Sequence, residues 1–524
     1  MAEREHAPNQ ENPFEDPLAT DMSTTAATTL HLNGNVALTL GPDALQVNDP
    51  GFRRTNGFNC CGLLPTDTHK PTDIPYRNIL NASVDDLELT VHYALPISVG
   101  TWPSSKPGCC PISLHYTFAD KNPTAKIWVT RLLDHAYGVS QINKRIKVLV
   151  NPFGGQGAAH KLWKREIEPI FKAARCEIDV EFTKHKEHAV EIAEKLDIDR
   201  YDVVACCSGD GLPHEVFNGL AKQKYPRRAL KKIAVVQLPC GSGNAMSLNL
   251  NGTNSPSLAA LAIVKGLRTS MDLVAITQGD KRYLSFLSQS VGIVAESDLG
   301  TENLRWLGNK RFDVGFVIRL LGKTVYPADV AVKVEIADKQ EIRNEYARNR
   351  SSAAALAAKG HQDHESELAD EPLDEELPVL RYGTVRDELP ADWETVSMPT
   401  LGNFYAGNMA YMSADAPFFP CALPSDHLID LVNIDGTIPR WTAFKAADAV
   451  TNNTFFDLDI VDYRKVSAYR ISPRLRPGQK EGYISIDGER VPFEPFQAEV
   501  LRELGTVLSC KRGAYEFDGP REAS

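Results

Sequence analysis

The chain has 524 residues, 43% hydrophobic and 24% charged, with a formal net charge of −11. That length accommodates two or three domains with cores of their own. The acidic balance argues against nucleic acid as the main partner, while leaving room for a local basic patch that meets phosphate.

Residues 1–23 are polar and rich in Glu, Asp and Pro, with no basic start leading into an apolar run. They read as a disordered tail and not as a secretory signal. No charge-free apolar stretch approaches the roughly 20 residues that a bilayer crossing needs. The most apolar segment, Phe312 to Val325, is interrupted by Asp313, Arg319 and Lys323. A membrane substrate would therefore be met from the surface. Ten cysteines include the adjacent pairs Cys60-Cys61, Cys109-Cys110 and Cys206-Cys207, none with repeated metal-ligand spacing. Without a signal peptide, a reducing, cytoplasmic setting is the default. Cys60-Cys61 and Cys109-Cys110 flank apolar residues, and two readings stand: reversible palmitoylation, or ordinary buried thiols.

Thr28–Val47 alternates apolar and polar positions broken by Asn-Gly and Gly-Pro-Asp turns, and Val84–Ala94 and Ile112–Thr117 add candidate strands, which predicts a small β-rich accessory domain over 24–140. From residue 141 the pattern changes. The strands read at Ile146–Asn151, Ile178–Phe182, Tyr201–Cys207 and Ile233–Leu238, the first a near-continuous apolar run, alternate with helical stretches, including Ala158–Ala174 and His188–Leu196. This predicts an α/β nucleotide-binding domain over 141–271 with a mostly parallel sheet. Beyond it, over 272–515, candidate strands at Leu273–Thr277, Tyr283–Ser290, Val330–Ile336, Phe404–Ala406, Leu428–Ile434, Tyr483–Ile486 and Glu499–Leu504 predict a β-sandwich domain. A helical interlude is expected at Thr301–Leu321. Residues 339–398 hold an alanine run and the stretch "DHESELADEPLDEEL", a composition that predicts a disordered acidic insertion. Its deletion is expected to cost little stability.

Three glycine loops follow three of the α/β strands, where open sheets of this kind bind ligands. The first, "NPFGGQG" (Asn151–Gly157), lacks both the GK[ST] of a Walker loop and a full G-x-G-x-x-G. Its glycines would let backbone N–H groups approach phosphate at a helix start. The second, "SGDGLPHE" (Ser208–Glu215), holds an Asp between two glycines. The third, "PCGSGNAM" (Pro239–Met246), offers N–H groups and the Ser242 hydroxyl. Each loop by itself is equally a tight strand-to-helix turn. Three in strand–loop–helix order on one edge are far more specific.

These loops resemble the motifs of the diacylglycerol-kinase-like lipid kinases, and most closely those of the sphingosine (long-chain base) kinases. "SVGIVAESDLGTENLRWLGNKRF" (Ser290–Phe312) is similar to that family's lipid-head segment, and "SIDGER" (Ser485–Arg490) to its late Asp-Gly-Glu motif. The resemblance spans roughly 145–335 and 400–510. The N-terminal region and the insertion look like those of fungal long-chain base kinases.

The resemblance implies ATP-dependent phosphorylation of the primary hydroxyl of sphingosine, dihydrosphingosine or phytosphingosine, with ATP and Mg²⁺ as cofactors. Asp210 is implied as the general base. ATP contacts are implied at Asn151, Pro152, Phe153, Gly154, Gly155 and Gly157, and at Thr183, Lys184, His185, Lys186 and Glu187. Further ATP contacts are implied at Glu215, Gly241, Ser242 and Gly243, at Arg305 and Arg311, and at Asp487, Gly488 and Glu489. Asp487 and Glu489 are implied to hold Mg²⁺ directly or through water. Substrate contacts are implied at Ser208, Gly209, Asp210 and Gly211. At Asp298 a carboxylate would meet the ammonium group of a sphingoid head. Without the family, Arg305 and Arg311 read as surface arginines, "TKHKE" as a polar turn, and Asp298 as a helix N-terminal carboxylate. Pro213, Phe153 and Gln156 depart from the family pattern at positions where backbone does most of the binding. The hydrocarbon tail is expected in an apolar pocket formed by Phe312–Leu321 and Tyr411–Phe419. The implied setting is the cytoplasmic face of intracellular membranes, through peripheral contact, with a homodimer as one option for assembly and no nucleic acid. Two rival readings are a diacylglycerol or ceramide kinase and a lipid-binding scaffold with an inactive kinase fold.

Overall fold

A computed structural model of the chain describes residues 28–49, 73–100, 105–299, 324–358, 376–476, 478–479, 481–511 and 513–521. The chain divides into two compact units: Met1–Leu95 with Pro111–Gly138, and Pro96–Cys110 with Val139–Ser524.

In the first unit, β1 (Thr29–Leu32), β2 (Val36–Leu40), β3 (Ala44–Asn48) and β4 (Asp73–Pro75) form an antiparallel sheet in chain order. The Asn33-Gly34 turn joins β1 to β2, with Gly34 at φ 73°, a conformation that glycine adopts without strain. A second sheet holds β5 (Ile79–Asp85), β6 (Glu88–Val99) and β7 (Lys106–Thr117). A helix that the strand pattern does not announce, α1 (Pro123–Tyr137), closes the unit. Asn122 caps it by accepting from Thr124 N at 3.0 Å, Pro123 opens it, and Gly138 ends it.

The second unit contains a parallel sheet in the order β11-β10-β8-β9, made of β8 (Arg145–Val150), β9 (Glu177–Phe182), β10 (Val203–Ser208) and β11 (Ala234–Pro239). Register is what builds the site. Val150 pairs with Cys207 and with Phe182, and Ser208 pairs with Pro239, so all four strands end level. Four loops therefore emerge on one edge.

The stretch expected as one helix at Ala158–Ala174 is three pieces: α2 (Ala159–Leu162), a π-turn (Trp163–Ile167) and α3 (Glu168–Ala173). Pro169 explains the break. It has no N–H to give the carbonyl four residues earlier, and the wider turn accommodates its ring. Helices α4 (His188–Glu194), α5 (Gly211–Leu220), α6 (Pro226–Lys232), α7 (Ala245–Asn251) and α8 (Pro256–Lys265) follow.

The rest of the unit is one large antiparallel sheet. Its strands are β12 (Leu267–Gln278), β13 (Lys281–Ser285), β14 (Ser288–Gly292), β15 (Ala328–Ile336), β16 (Glu394–Met398), β17 (Leu401–Gly407), β18 (Ile429–Asp435), β19 (Asp462–Pro473), β20 (Ile484–Ile486), β21 (Glu489–Val491) and β22 (Phe496–Ser509). The run expected as one strand at Tyr283–Ser290 is two, β13 and β14, with Phe286 and Leu287 between them. Alternate residues of the sheet, among them Val274, Ile276, Phe404, Leu431, Tyr469 and Phe496, bury against one another as its core. The helices α9 (Ile293–Leu299) and α11 (Arg440–Thr451) belong to the same part of the chain. The expected interlude at Thr301–Leu321 lies outside the described residues.

The insertion at 339–398 is not disordered at either end. Lys339–Ala358 is a helix, α10, which Asp338 caps by accepting from Glu341 N at 2.9 Å. It buries Ile342 and Tyr346, and its Arg343 pairs with Asp457 at 2.7 Å. Residues 376–398 are docked by their backbone. The buried Glu499 carboxylate accepts from Arg381 N and Tyr382 N at 2.7 and 3.0 Å. Arg470 donates to the carbonyls of Thr384 and Asp387, and β16 pairs with β15. Average composition misleads here, because two apolar residues one turn apart and a few buried side chains satisfy the segment. The acidic middle, 359–375, lies outside the described residues.

Candidate functional site

The glycine loops interlock. A Cβ on Gly241 would overlap the Gly209 backbone, and one on Gly209 would sit 2.8 Å from the Gly243 carbonyl oxygen. A Cβ on Gly154 would sit 3.0 Å from Ser208 Oγ. Gly209 and Gly241 need glycine because backbone passes against backbone, and Gly154 because a side chain there would crowd Ser208. Below them, the buried thiols of Cys207 and Cys240 lie 3.2 Å apart and fill the ends of β10 and β11.

Asp210 stands between β10 and α5, at the residue before the helix begins. Its Oδ1 accepts from Met246 N at 3.0 Å and from Gln237 Nε2 at 3.1 Å; its Oδ2 accepts from Ala245 N at 3.0 Å. The third glycine loop thus delivers the start of α7 onto the carboxylate of the second. Gln237 is fixed in turn, its Oε1 accepting from Ser247 N at 2.8 Å. Burial raises the Asp210 pKa above the usual carboxylate value, the two N–H groups and Gln237 oppose that, and the charge of Asp487 adds to it. A carboxylate has about four lone-pair sites. Three are used, and the remaining one is on Oδ2.

In the first loop, Asn151 accepts from Phe153 N at 3.0 Å through Oδ1 and donates to Ser208 Oγ at 3.4 Å. Phe153 is 79% exposed. Gly154–Gly157 makes a 3-10 turn, with Gly157 at φ 82°. Pro213 sits in the first turn of α5, where its missing N–H is of no consequence.

Thr183 N donates to Val150 O, which brings "TKHKE" to the same edge. Glu187 is left-handed at φ 65° just before α4. No side chain of its own caps that helix; Glu215 does so from α5, accepting from Glu187 N at 3.2 Å and Ala189 N at 3.1 Å. Glu215 is therefore a half-buried clamp between two helices and not a bare solvated residue; each of its oxygens has one donor and keeps a lone pair. Burial raises its pKa, against the lowering by those two N–H groups. His185, His188 and Glu191 cluster within 4.8 Å. However, His188 Nδ1 accepts from Lys184 N at 3.2 Å, so the neutral ring presents an N–H and not a ligand lone pair to its neighbours.

The turn between β20 and β21 brings Asp487, Gly488 and Glu489 against α5. The Asp487 carboxylate is buried and takes five donors: Ser285 Oγ at 2.6 Å, Phe286 N at 3.0 Å, Leu287 N at 3.0 Å, Ser288 N at 2.9 Å and His214 Nδ1 at 2.8 Å. No lone pair is left for a metal. The expectation of Asp487 as a Mg²⁺ anchor is corrected on that ground: it ties the sheet to α5. His214, which sequence reasoning passed over, is the other half of the tie, and its place in "GDGLPHE" is the only signal for it. Glu489 is different. Its Oε2 meets Lys186 Nζ at 2.9 Å, and its Oε1 lies 3.3 Å from where a Gly211 Cβ would be. The carboxylate thus hangs over the start of α5, beside the first turn of the strand-end loops.

The matching family models are the diacylglycerol kinase catalytic domain over residues 145–276 and a domain of unknown function over 28–138. The chain is 34% identical over 423 residues to "Sphingoid long chain base kinase 4" of Schizosaccharomyces pombe, covering 79% of this chain and 87% of that one. The chain belongs to the sphingoid long-chain base kinase family. It is also 35% identical to "Sphingoid long chain base kinase 5" of Saccharomyces cerevisiae, over 74% of this chain but only 63% of that longer protein. "Sphingosine kinase 1" of Arabidopsis thaliana matches at 27% over 70% of this chain and 72% of its own.

Within this family member the implied residues divide by place. Asn151, Pro152, Phe153, Gly154, Gly155 and Gly157 share one strand edge with Thr183–Glu187, Ser208–Gly211 and Gly241–Gly243. Arg305 and Arg311 lie outside the described residues. Asp298 sits on α9, which follows β14; β14 pairs with β20 of the Asp-Gly-Glu hairpin. Of the expected tail pocket, Phe312–Leu321 lies outside the described residues. In Tyr411–Phe419, Phe419 is fully buried against Tyr405, and Phe418 packs beside it. Those two rings are core. Cys60 and Cys61 lie outside the described residues, while Cys109 and Cys110 are buried, with Cys109 N bonded to Ser257 Oγ at 3.0 Å. That favours the ordinary buried thiol for the second pair. No described helix is long and apolar enough to cross a membrane.

Proposed function

We propose that this protein transfers the γ-phosphoryl group of ATP to the primary hydroxyl of a sphingoid long-chain base. One observation carries the reading: a single carboxylate, Asp210, is fixed by two backbone N–H groups and an amide at the meeting point of two glycine loops, with one lone pair left over.

The glycine edge fits a polyphosphate, since Gly154, Gly209, Gly241 and Gly243 leave backbone where side chains would stand. Glu489 fits Mg²⁺ as a carboxylate whose one described partner is an exposed lysine. Mg²⁺·ATP, when bound, supplies the electrophilic phosphorus and neutralises charge on the phosphates. The residues of this chain do the rest. Asp210 Oδ2 accepts the proton of the substrate hydroxyl as its oxygen bonds to phosphorus, and the bond from phosphorus to the bridging oxygen of ADP breaks. Gln237 and the start of α7 hold the base in line. Lys186 offers a cation to phosphate, and Asp298 a carboxylate to the ammonium group of the base.

The test is transfer of labelled phosphate from ATP to sphingosine, dihydrosphingosine, phytosphingosine, ceramide and diacylglycerol. Labelling of the three bases alone is expected. Labelling of ceramide or diacylglycerol instead would replace the substrate assignment, and no labelling of any lipid would leave a binding scaffold.

A further inference from the structure

Helix α11 is built inside out. Its buried residues are small, Ala443, Ala446, Ala449 and Val450. Its large apolar residues point outward: Trp441 is 71% exposed and Phe444 37%. Other exposed large apolar residues, such as Ile127, Phe153 and Leu475, occur singly along the chain, and among the described residues only Trp441 and Phe444 share a helical turn. A soluble surface normally keeps such a stripe polar.

Over Arg440–Ala446, the first two turns, both charged residues are cations. Arg440 precedes Trp441, and Lys445 follows Phe444 with its ammonium 6.0 Å from the indole centroid. The first acidic residue of the helix is Asp448, a turn further on. Asp435, in the turn before the helix, directs its carboxylate at Thr400 and Thr437. The helix begins after Pro439 with no side chain capping its first N–H groups, which adds a partial positive charge at that end. An exposed indole, a second aromatic ring and two long cations on one face match the boundary between acyl chains and anionic headgroups. There the rings enter the interface and the cations reach back to phosphate.

We propose that the first two turns of α11 dock this protein on an anionic bilayer, through Trp441 and Phe444 as wedges and Arg440 and Lys445 as phosphate contacts. A bilayer is favoured over a protein groove because, on the reading proposed above, the substrate is a lipid that must be collected from one. The inference rests on that reading only for the choice of partner.

The test is co-sedimentation of the full chain with phosphatidylcholine vesicles, with and without about a third phosphatidylserine. Binding is expected to the anionic vesicles. The double variant Trp441→Ala/Phe444→Ala is expected to lose about tenfold or more in partitioning. Arg440→Gln/Lys445→Gln is expected to lose the preference for phosphatidylserine. Both variants should keep their circular dichroism and their rate toward sphingosine in detergent micelles. A wild-type chain that ignores anionic vesicles overturns the proposal, as does an aromatic double variant that binds them undiminished. If that variant keeps vesicle binding but turns a dimer into a monomer in light scattering, the face belongs to a second copy of the chain. The micelle assay reads the substrate assignment separately, so failure of one does not imply failure of the other.

Discussion

Asp487 is a buried carboxylate and Asp210 a half-buried one, and the difference in their partners separates their work. Asp487 has five donors and no free lone pair; Asp210 has three and keeps one. Asp210→Asn is expected to lower turnover by about a thousandfold, within the span of lost general-base catalysis. Its thermal midpoint should change little, because the neutral amide relieves the cost of the charge while its NH2 cannot accept from an N–H donor. A raised carboxyl pKa means the folded state favours the neutral form, so the buried charge costs stability above the ordinary value near 3.8. For the same reason the acid limb of kcat/KM should fall at a pH above that of an ordinary aspartate. A midpoint drop of several degrees in the variant would count against this account of the residue.

His214 tests the tie to the sheet. Burial lowers its pKa, but the bond to Asp487, with the charges of Asp487, Glu489 and Glu215, outweighs that and leaves it raised. His214→Asn leaves a buried carboxylate one donor short, at a cost of about 1–3 kcal/mol. The stabilisation from a raised histidine pKa is complete below about 6.5 and is lost as pH rises through the folded value. The gap in thermal midpoint between wild type and variant should therefore be widest below pH 6.5 and narrow above it. A gap that widens with pH would sink the ion-pair description. Nothing in "GDGLPHE" states that His214 reaches a residue 273 positions away. The motif marks the residue as worth attention, and only the fold supplies its partner.

At the scale of elements, β8, β10 and β11 were legible because, buried on both faces, they read as near-continuous apolar runs, and the glycine turns after them mark where they end; β9, at the sheet edge, is half-exposed and has no such turn. The register that levels those ends is not in any one segment. The insertion shows the opposite failure. Its composition is that of a disordered loop, yet Glu499, Arg470 and Gln497 hold the backbone of 381–387, and Trp393 buries against Tyr382. Excising residues 376–398 should lower the thermal midpoint by roughly 5 °C or more, since it strips β15 of β16 and orphans those side chains. A shift under a degree or so in differential scanning calorimetry would restore the view of a dispensable loop.

At the scale of the whole chain, the tip of the β6–β7 hairpin, Pro96–Cys110, belongs to the same compact unit as the kinase machinery. Gly108 passes close enough to Ser257 that a Cβ would come within 3.1 Å of its hydroxyl, and Cys109 N bonds to that hydroxyl. A chain beginning at Val139 should therefore aggregate or melt several degrees lower than the full chain, because buried Ser257 loses its partner and the apolar cover goes with it. Equal melting of the two would show the tip to be dispensable. Chemistry-bearing residues from Asn151 to Glu489 meet in this unit.

Taken alone, the amino-acid order determined which turns must be glycine, which strands are buried, and which family of catalyst the three loops resemble. Those are local properties: backbone clearance, side-chain period and motif spacing act within a few residues of one another. The tertiary structure decided which aspartate is saturated by donors and which keeps a lone pair, which glutamate caps a neighbouring helix, and which charged segment is held in place. Donors from distant segments settle those matters, and a buried polar group takes whichever partner the fold brings within 3 Å or so.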